Sequence, residues 1–194
     1  IKRRLATLRR KLSSILVRRA QVRKHRKRRG FKLVALAGYT NSGKSTLLNA
    51  LTAGGARVDN MYFTTLTPRT RAIRGCSKVL LTDTVGFIDG LPPWMVEAFK
   101  ATLEEIFLAD LVLVVLDGSD PIPELLRKYR TVSDVLREYS VRTAIVLNKR
   151  DLMTESEVGE KVNMLNGFSA PVVAVSALRG DNLPSLLELI RELA

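Results

Sequence analysis

The residues best placed by type and spacing to do chemistry are Gly38-Tyr39-Thr40-Asn41-Ser42-Gly43-Lys44-Ser45. They read G-x-x-x-x-G-K-[ST], a spacing that suits a loop wrapped around phosphate oxygens. Gly38 and Gly43 let the backbone curl until successive amide N–H groups, including those of Tyr39, Thr40, Asn41 and Ser42, converge on an anion. Lys44 can neutralise terminal phosphates, and the Ser45 hydroxyl can hold a magnesium ion. Thr46 follows in the first turn of a helix whose N-terminus adds partial positive charge.

Four later stretches complete a possible nucleotide site. Tyr62-Phe63-Thr64-Thr65-Leu66-Thr67-Pro68 has little regular pattern. Thr65 in it, with Thr67 as second choice, can bind magnesium and sense a terminal phosphate, and Phe63 is placed at the nucleotide beside it. Asp83-Thr84-Val85-Gly86 ends an apolar run. There Asp83 suits the magnesium side, and the Gly86 amide suits a terminal phosphate. Asn148-Lys149-Arg150-Asp151 addresses the base. The Asp151 carboxylate can accept two hydrogen bonds from guanine, and adenine has no donors there, so ATP is expected to be rejected. Asn148 ties this loop to the phosphate loop and can reach the base, and the Lys149 stem can cover the ring face. In Ser176-Ala177-Leu178 the Ala177 amide can donate to the guanine carbonyl. The chemistry expected is phosphoryl transfer to water, with Lys44, Thr65 and Gly86 as the catalytic set and Ser45, Thr65 and Asp83 as the metal set. The residue after D-x-x-G is Phe87, which cannot orient water through a hydrogen bond. Intrinsic hydrolysis is therefore expected to be slow and to need another device, near Asn41 or from a partner.

These residues need a scaffold of strands that end at one rim. The apolar run Phe31 to Ala37 predicts a strand before the phosphate loop, and Thr46 to Thr52 a helix after it. Thr70 to Gly75 and Lys78 to Thr82 read as two strands around a turn at Cys76-Ser77. Leu91 to about Leu108 reads as a helix with prolines in its first turn. Leu111 to Leu116 and Arg142 to Leu147 are near-continuous apolar runs, hence strands covered on both faces. Pro121 to Tyr139 is an amphipathic helix, and Glu155 to about Leu165 a weaker one. Val172 to Val175 is the last strand, and Asn182 or Asp181 caps a helix running through Leu193. Alternating strands and helices predict an α/β fold of three layers: a P-loop NTPase, Ras-like domain with a mainly parallel six-stranded sheet. Ligands of such sheets sit at the carboxyl ends of the strands, where each motif above lies.

Charge divides the 194 residues. Of the 32 Lys and Arg, 14 fall within residues 1–29, which hold no acid, leaving 18 against 19 acids in the remainder. The net charge of +13 therefore resides on a basic helical arm, residues 1–29, preceding a GTP-binding domain, residues 30–194. Leu5, Leu8, Leu12, Ile15 and Val22 give the arm a narrow apolar stripe, and Arg23-Lys24-His25-Arg26-Lys27-Arg28-Arg29 gives it dense charge. A solvated face or hinge is the plainer alternative to phosphate contact with a nucleic acid; no aromatic interleaves the charges, which points to backbone contacts rather than base reading. A membrane-surface role has the weaker case, since the stripe lacks an aromatic anchor. No apolar run reaches the ~18 residues of a membrane span, and no secretory signal is visible. One cysteine, Cys76, excludes an intrachain disulfide and suits a reducing compartment; it reads as a small buried residue. A cytoplasmic monomer is expected. The start at Ile1 rather than Met suggests a longer parent.

The strings GYTNSGKSTLLNALT, FTTLTPRTR, LTDTVGFIDGLPPWMVEAFKATLEE and NKRDL resemble the HflX GTPases, of the Obg–HflX group of translation-associated factors. The resemblance spans the whole chain. It implies GTP and GDP as ligands, magnesium as cofactor, and binding to the large ribosomal subunit and its RNA. In some members it implies ribosome splitting. The Asn41 position resembles potassium-assisted GTPases and implies potassium. The family's glycine-rich N-terminal domain has no counterpart in these residues, and the basic arm resembles the end of that domain's helical hairpin. The alternative is a nucleotide-gated binding module with negligible hydrolysis that docks RNA or a protein through the arm.

Overall fold

Short apolar stretches alternate with amphipathic ones, and a computed structural model of the chain shows how they pair. It describes residues 28–52, 69–83, 106, 109–137 and 141–194. The strands are β1 (Lys32–Ala37), β2 (Arg69–Ile73), β3 (Cys76–Asp83), β4 (Leu111–Asp117), β5 (Thr143–Asn148) and β6 (Val172–Ala174). The described helices are α1 (Lys44–Leu51), α2 (Ile122–Arg137), α3 (Glu155–Leu165) and α4 (Leu183–Leu193), with a 3-10 turn at Arg150–Leu152. One sheet has the order β2-β3-β1-β4-β5-β6. β1 with β4, β4 with β5 and β5 with β6 run parallel, whereas β2 lies antiparallel to β3 at the edge. The chain divides into units of residues 1–32 and 33–194. Apart from Lys32, the sheet lies in the second.

Between their end residues the central strands β1, β4 and β5 are apolar at successive positions because both of their faces are covered. Ala35, Ala37, Val112, Val114, Leu116, Ile145 and Leu147 join one cluster, packed with Leu125, Tyr129, Val132 and Leu136 of α2 and Val158 and Leu165 of α3. The intervening residues, Val34, Leu36, Leu111, Leu113, Val115, Ala144 and Val146, join the other. That second face packs with Leu47, Leu48 and Leu51 of α1 and Leu186 and Ile190 of α4. The three layers follow from this alternation. Each fully buried leucine contributes about 1.5–3 kcal/mol of transfer free energy, so the rim is held by a stiff sheet.

Most element boundaries match the sequence reading within a residue or two, and three features do not. The turn between β2 and β3 falls at Arg74-Gly75, not Cys76-Ser77. Gly75 takes φ 72°, a conformation that Cys76 would adopt only with strain. Cys76 therefore opens a strand and is half-buried, accepting a hydrogen bond from Arg191 Nε at 3.1 Å, rather than sitting in the core. Asn182 is the N-cap of α4, one of the two residues expected there, but at φ 57° its side chain makes no hydrogen bond to the helix backbone. Its Nδ2 donates to Ala174 O at 2.9 Å and its Oδ1 accepts from the Ser185 hydroxyl at 2.6 Å. By contrast α3 has a full capping box, in which Thr154 accepts from the Glu157 amide and the Glu157 carboxylate accepts from the Thr154 amide. The expected helix from Leu91 (apart from Ile106, which is helical and buried), the basic arm through Lys27, and Phe63, Thr65, Thr67, Gly86 and Phe87 lie outside the described residues. No helix among the described residues is long and apolar enough to cross a membrane.

Candidate functional site

The loop after β1 turns sharply because three of its residues leave the ordinary backbone regions. Gly38 has φ 150°, Asn41 φ 63° and Gly43 φ 90°. A Cβ on Gly38 would strike the Val115 carbonyl of the neighbouring strand, and one on Gly43 would strike Asn148 Nδ2. Both glycines are required by close approach as well as by conformation. Gly43 is the N-cap of α1 and supplies no side-chain acceptor, so the first-turn N–H groups are left for an anion.

Lys44 is buried, and its Nζ folds back to donate to Gly38 O at 3.0 Å and Tyr39 O at 2.6 Å. Burial lowers its pKa to about 8, although Asp83 pulls the other way. The buried ammonium has neutral carbonyls as its hydrogen-bond acceptors, so an anion nearby would stabilise its charged form. Ser45 Oγ donates to Asp83 Oδ2 at 2.6 Å, joining the loop to the end of β3. Asp83 is buried, and its Oδ1 has no hydrogen-bond partner among the described residues, nor does the Ser42 hydroxyl. An orphaned carboxylate oxygen beside a serine hydroxyl is the donor set a hard divalent cation takes, so the residues fit magnesium.

Asn148 joins the loop after β1 to the loop after β6, the latter expected from sequence to face the base. Its Nδ2 donates to Ser42 O at 2.9 Å, and its Oδ1 accepts from the Ala177 amide at 3.0 Å. The link to the phosphate loop is the expected one. The Ala177 amide, expected to be open to a guanine carbonyl, is instead engaged by Asn148, because the asparagine spans the whole gap between the two loops. Asp151 Oδ1 accepts from Ser176 Oγ at 2.5 Å, and Ser176 Oγ in turn accepts from the Arg179 amide at 3.1 Å. Lys149 stands at φ 63°, its Nζ donating to Asp117 Oδ2 at 2.5 Å. Burial pushes the Asp117 carboxyl up, but hydrogen bonds from Lys149 and from the Ser119 hydroxyl and amide outweigh it and hold the group below its ordinary value. Leu178 is exposed at the outer edge of the Ser176 loop.

Gly38, Tyr39, Thr40, Asn41, Ser42, Gly43, Lys44, Ser45 and Thr46 are thus contiguous around one turn, with Asp83 bonded to it and Asn148 bridging to Ser176, Ala177 and Asp151. Tyr39 is buried, with Lys128 Nζ 5.7 Å and Arg127 Cζ 5.8 Å from its ring centroid. It contributes its backbone to the loop and its ring to the core. Sequence reasoning overlooked Asp117, Arg179 and Lys161. Asp117 had a signal of the same form as Asp83, an acid closing an apolar strand before a glycine or near one. Arg179 Nε lies 3.9 Å from Asp151 Oδ2, and Lys161 sits on the buried face of α3; neither belongs to a motif.

The family model described as 50S ribosome-binding GTPase matches residues 33–149. GTPase HflX of Thermococcus kodakarensis is 45% identical over 200 residues, covering 98% of this chain and 45% of that protein. GTPase HflX of Methanocaldococcus jannaschii is 43% identical over 195 residues, 99% of this chain and 48% of that protein. A GTP-binding protein from the hyperthermophilic archaeon Sulfolobus solfataricus, solved in complex with GDP, aligns with a TM-score of 0.72 at 30% identity, covering 99% of this chain and 57% of that one. The chain spans about half the length of the curated relatives it matches. A sheet whose strand ends carry a phosphate loop joined to a base-side loop, and relatives aligned along nearly its full length, lead to one assignment: the chain belongs to the family of 50S ribosome-binding GTPases, in its HflX group.

Proposed function

We propose that this domain binds GTP, hydrolyses it to GDP and phosphate, and serves a parent protein that acts on the large ribosomal subunit in the cytoplasm. The observation that carries the reading is the Asn148 bridge, which fixes the phosphate loop and the base-side loops to each other through Ser42 O and Ala177 N. Asp151 then accepts from the guanine N–H and amine, and the Lys149 stem lies on the ring. The α1 N-terminus and Lys44 receive the phosphates. Ser45 and Asp83, with Thr65, would hold magnesium, which supplies neutralisation of charge on the transferring phosphoryl group. Gly86 and Thr65 are the proposed sensors of the terminal phosphate, Phe63 lies at the nucleotide, and Asn41 is the proposed potassium contact. Relatives named GTPase HflX support this reading. Phe87 leaves the attacking water without a side-chain partner at its position, so a ribosomal particle is expected to accelerate turnover.

Two measurements test this. Calorimetry with magnesium should show GDP binding and no comparable ADP binding; equal uptake of both rejects base recognition. Phosphate release should then rise when purified large subunits are added. Binding of GTP without acceleration by any ribosomal particle supports the nucleotide-gated docking module instead.

A further inference from the structure

The turn after β4, residues 117–120, belongs to none of the nucleotide motifs, yet it is tied to the base-side loop at three points. Asp117 stands opposite Asn148 in the β4–β5 register. The Gly118 amide donates to Asn148 O at 2.8 Å. A Cβ on Gly118 would strike Met153 and the same Asn148 carbonyl, so only glycine lets the turn come this close. Asp117 Oδ1 is occupied by the Ser119 amide at 3.0 Å and hydroxyl at 2.6 Å, which aims Oδ2 at Lys149 Nζ.

The turn is clamped in its turn by Lys161 of α3. Lys161 is 7% exposed, and its Nζ donates to Gly118 O at 2.6 Å and Asp120 O at 3.1 Å. Asp120 is also held by Lys128 of α2, Nζ to Oδ2, at 2.8 Å. A buried ammonium spent on two backbone carbonyls is a costly way to close a turn unless the turn must hold a fixed shape. Lys149 supplies the reason. Its left-handed backbone is disfavoured for a side chain, and its four-carbon stem would otherwise swing among many rotamers.

We propose that Lys161 and Asp117 are positioning residues for guanine recognition: Lys161 fixes the 117–120 turn, and Asp117 on that turn holds Lys149 where its stem covers the base. This rests on the guanine reading given above. The two residues act through Lys149 and touch no nucleotide themselves, so their loss affects base binding and spares the phosphate loop, whose bond to the Asn148 side chain they do not share.

The test uses the 194-residue chain and two ligands, GDP and inorganic pyrophosphate, the second engaging the phosphate loop alone. Lys161→Met keeps the stem and strands both carbonyls. It should weaken GDP binding about 10-fold while leaving pyrophosphate competition unchanged, and Lys161→Arg should restore most of the loss. Asp117→Asn, nearly isosteric and less exposed to folding failure, should weaken GDP binding in the native background and add nothing in a Lys149→Met background. Equal losses for GDP and pyrophosphate, unchanged GDP affinity, or additive effects of Asp117→Asn and Lys149→Met would overturn the proposal. The unsubstituted chain is also measured with ADP. If it fails to prefer GDP, the guanine reading falls and this inference with it; if it prefers GDP and the variants behave as native, only the inference falls.

Discussion

Lys44 has to be charged to hold a phosphate, yet it is buried with a pKa lowered to about 8. The sign of its pH dependence follows. Between about 8 and its ordinary value of 10.5 the unfolded chain keeps the proton and the folded chain releases it, so this residue makes the ligand-free fold more stable as pH rises through that window. A bound phosphate reverses the preference by favouring the ammonium. Nucleotide binding near pH 9 should therefore take up a proton, and affinity should fall as pH rises above about 8. Calorimetry in two buffers of different ionisation enthalpy measures the uptake; no buffer dependence would contradict it. Asp151→Asn is the complementary test at the base. The amide oxygen can still accept from Ser176, so the melting temperature should change little, whereas guanine loses its carboxylate and binding should weaken by about 2 kcal/mol or more. Retained tight and selective GDP binding in this variant would count against the assignment of Asp151.

At the scale of elements, the site depends on loops held by single side chains. Asn148→Ala removes both bonds of the bridge and leaves a buried carbonyl and amide without partners, at about 1–3 kcal/mol each. A lower melting temperature and weaker binding of both base and phosphate are expected, in contrast to Asp151→Asn. Thr154→Ala removes the capping box of α3, which costs about 1 kcal/mol. It should lower the melting temperature with GDP affinity nearly unchanged, because α3 reaches the site through Lys161 rather than through its first turn. The β2–β3 turn shows where local reading failed. Either dipeptide, Cys76-Ser77 or Arg74-Gly75, can close a hairpin, and the choice was decided by the Gly75 conformation and by pairing of Cys76 with Ile73. Asn182 takes the expected N-cap position without the side-chain cap for a similar reason. A residue type suited to capping was drawn to the Ala174 carbonyl, a partner eight residues away.

For the molecule as a whole, the separation of charge is as informative as the fold. The excess of positive charge lies within residues 1–29. If the proposed contact with ribosomal RNA is made through several phosphates, affinity for large subunits should fall by about 1,000-fold between 50 and 200 mM salt. Removing residues 1–29 should flatten that dependence and leave GDP binding intact, which sedimentation and calorimetry together can check. The sequence by itself determined the sheet and pointed to the chemistry. Apolar runs such as Leu111 to Leu116 are too short for an ordinary helix and suit strands covered on both sides, and the motif residues point to their proposed roles by type and spacing. What only the tertiary structure decided was which of those groups are already taken. The engagement of the Ala177 amide by Asn148, the unsatisfied Asp83 Oδ1, and the Lys161 clamp on the turn that holds Lys149 all join residues 29 to 43 positions apart, or leave one without a partner. Hydrogen bonds of that kind depend on distances across the packed sheet, and no local pattern in the chain records them.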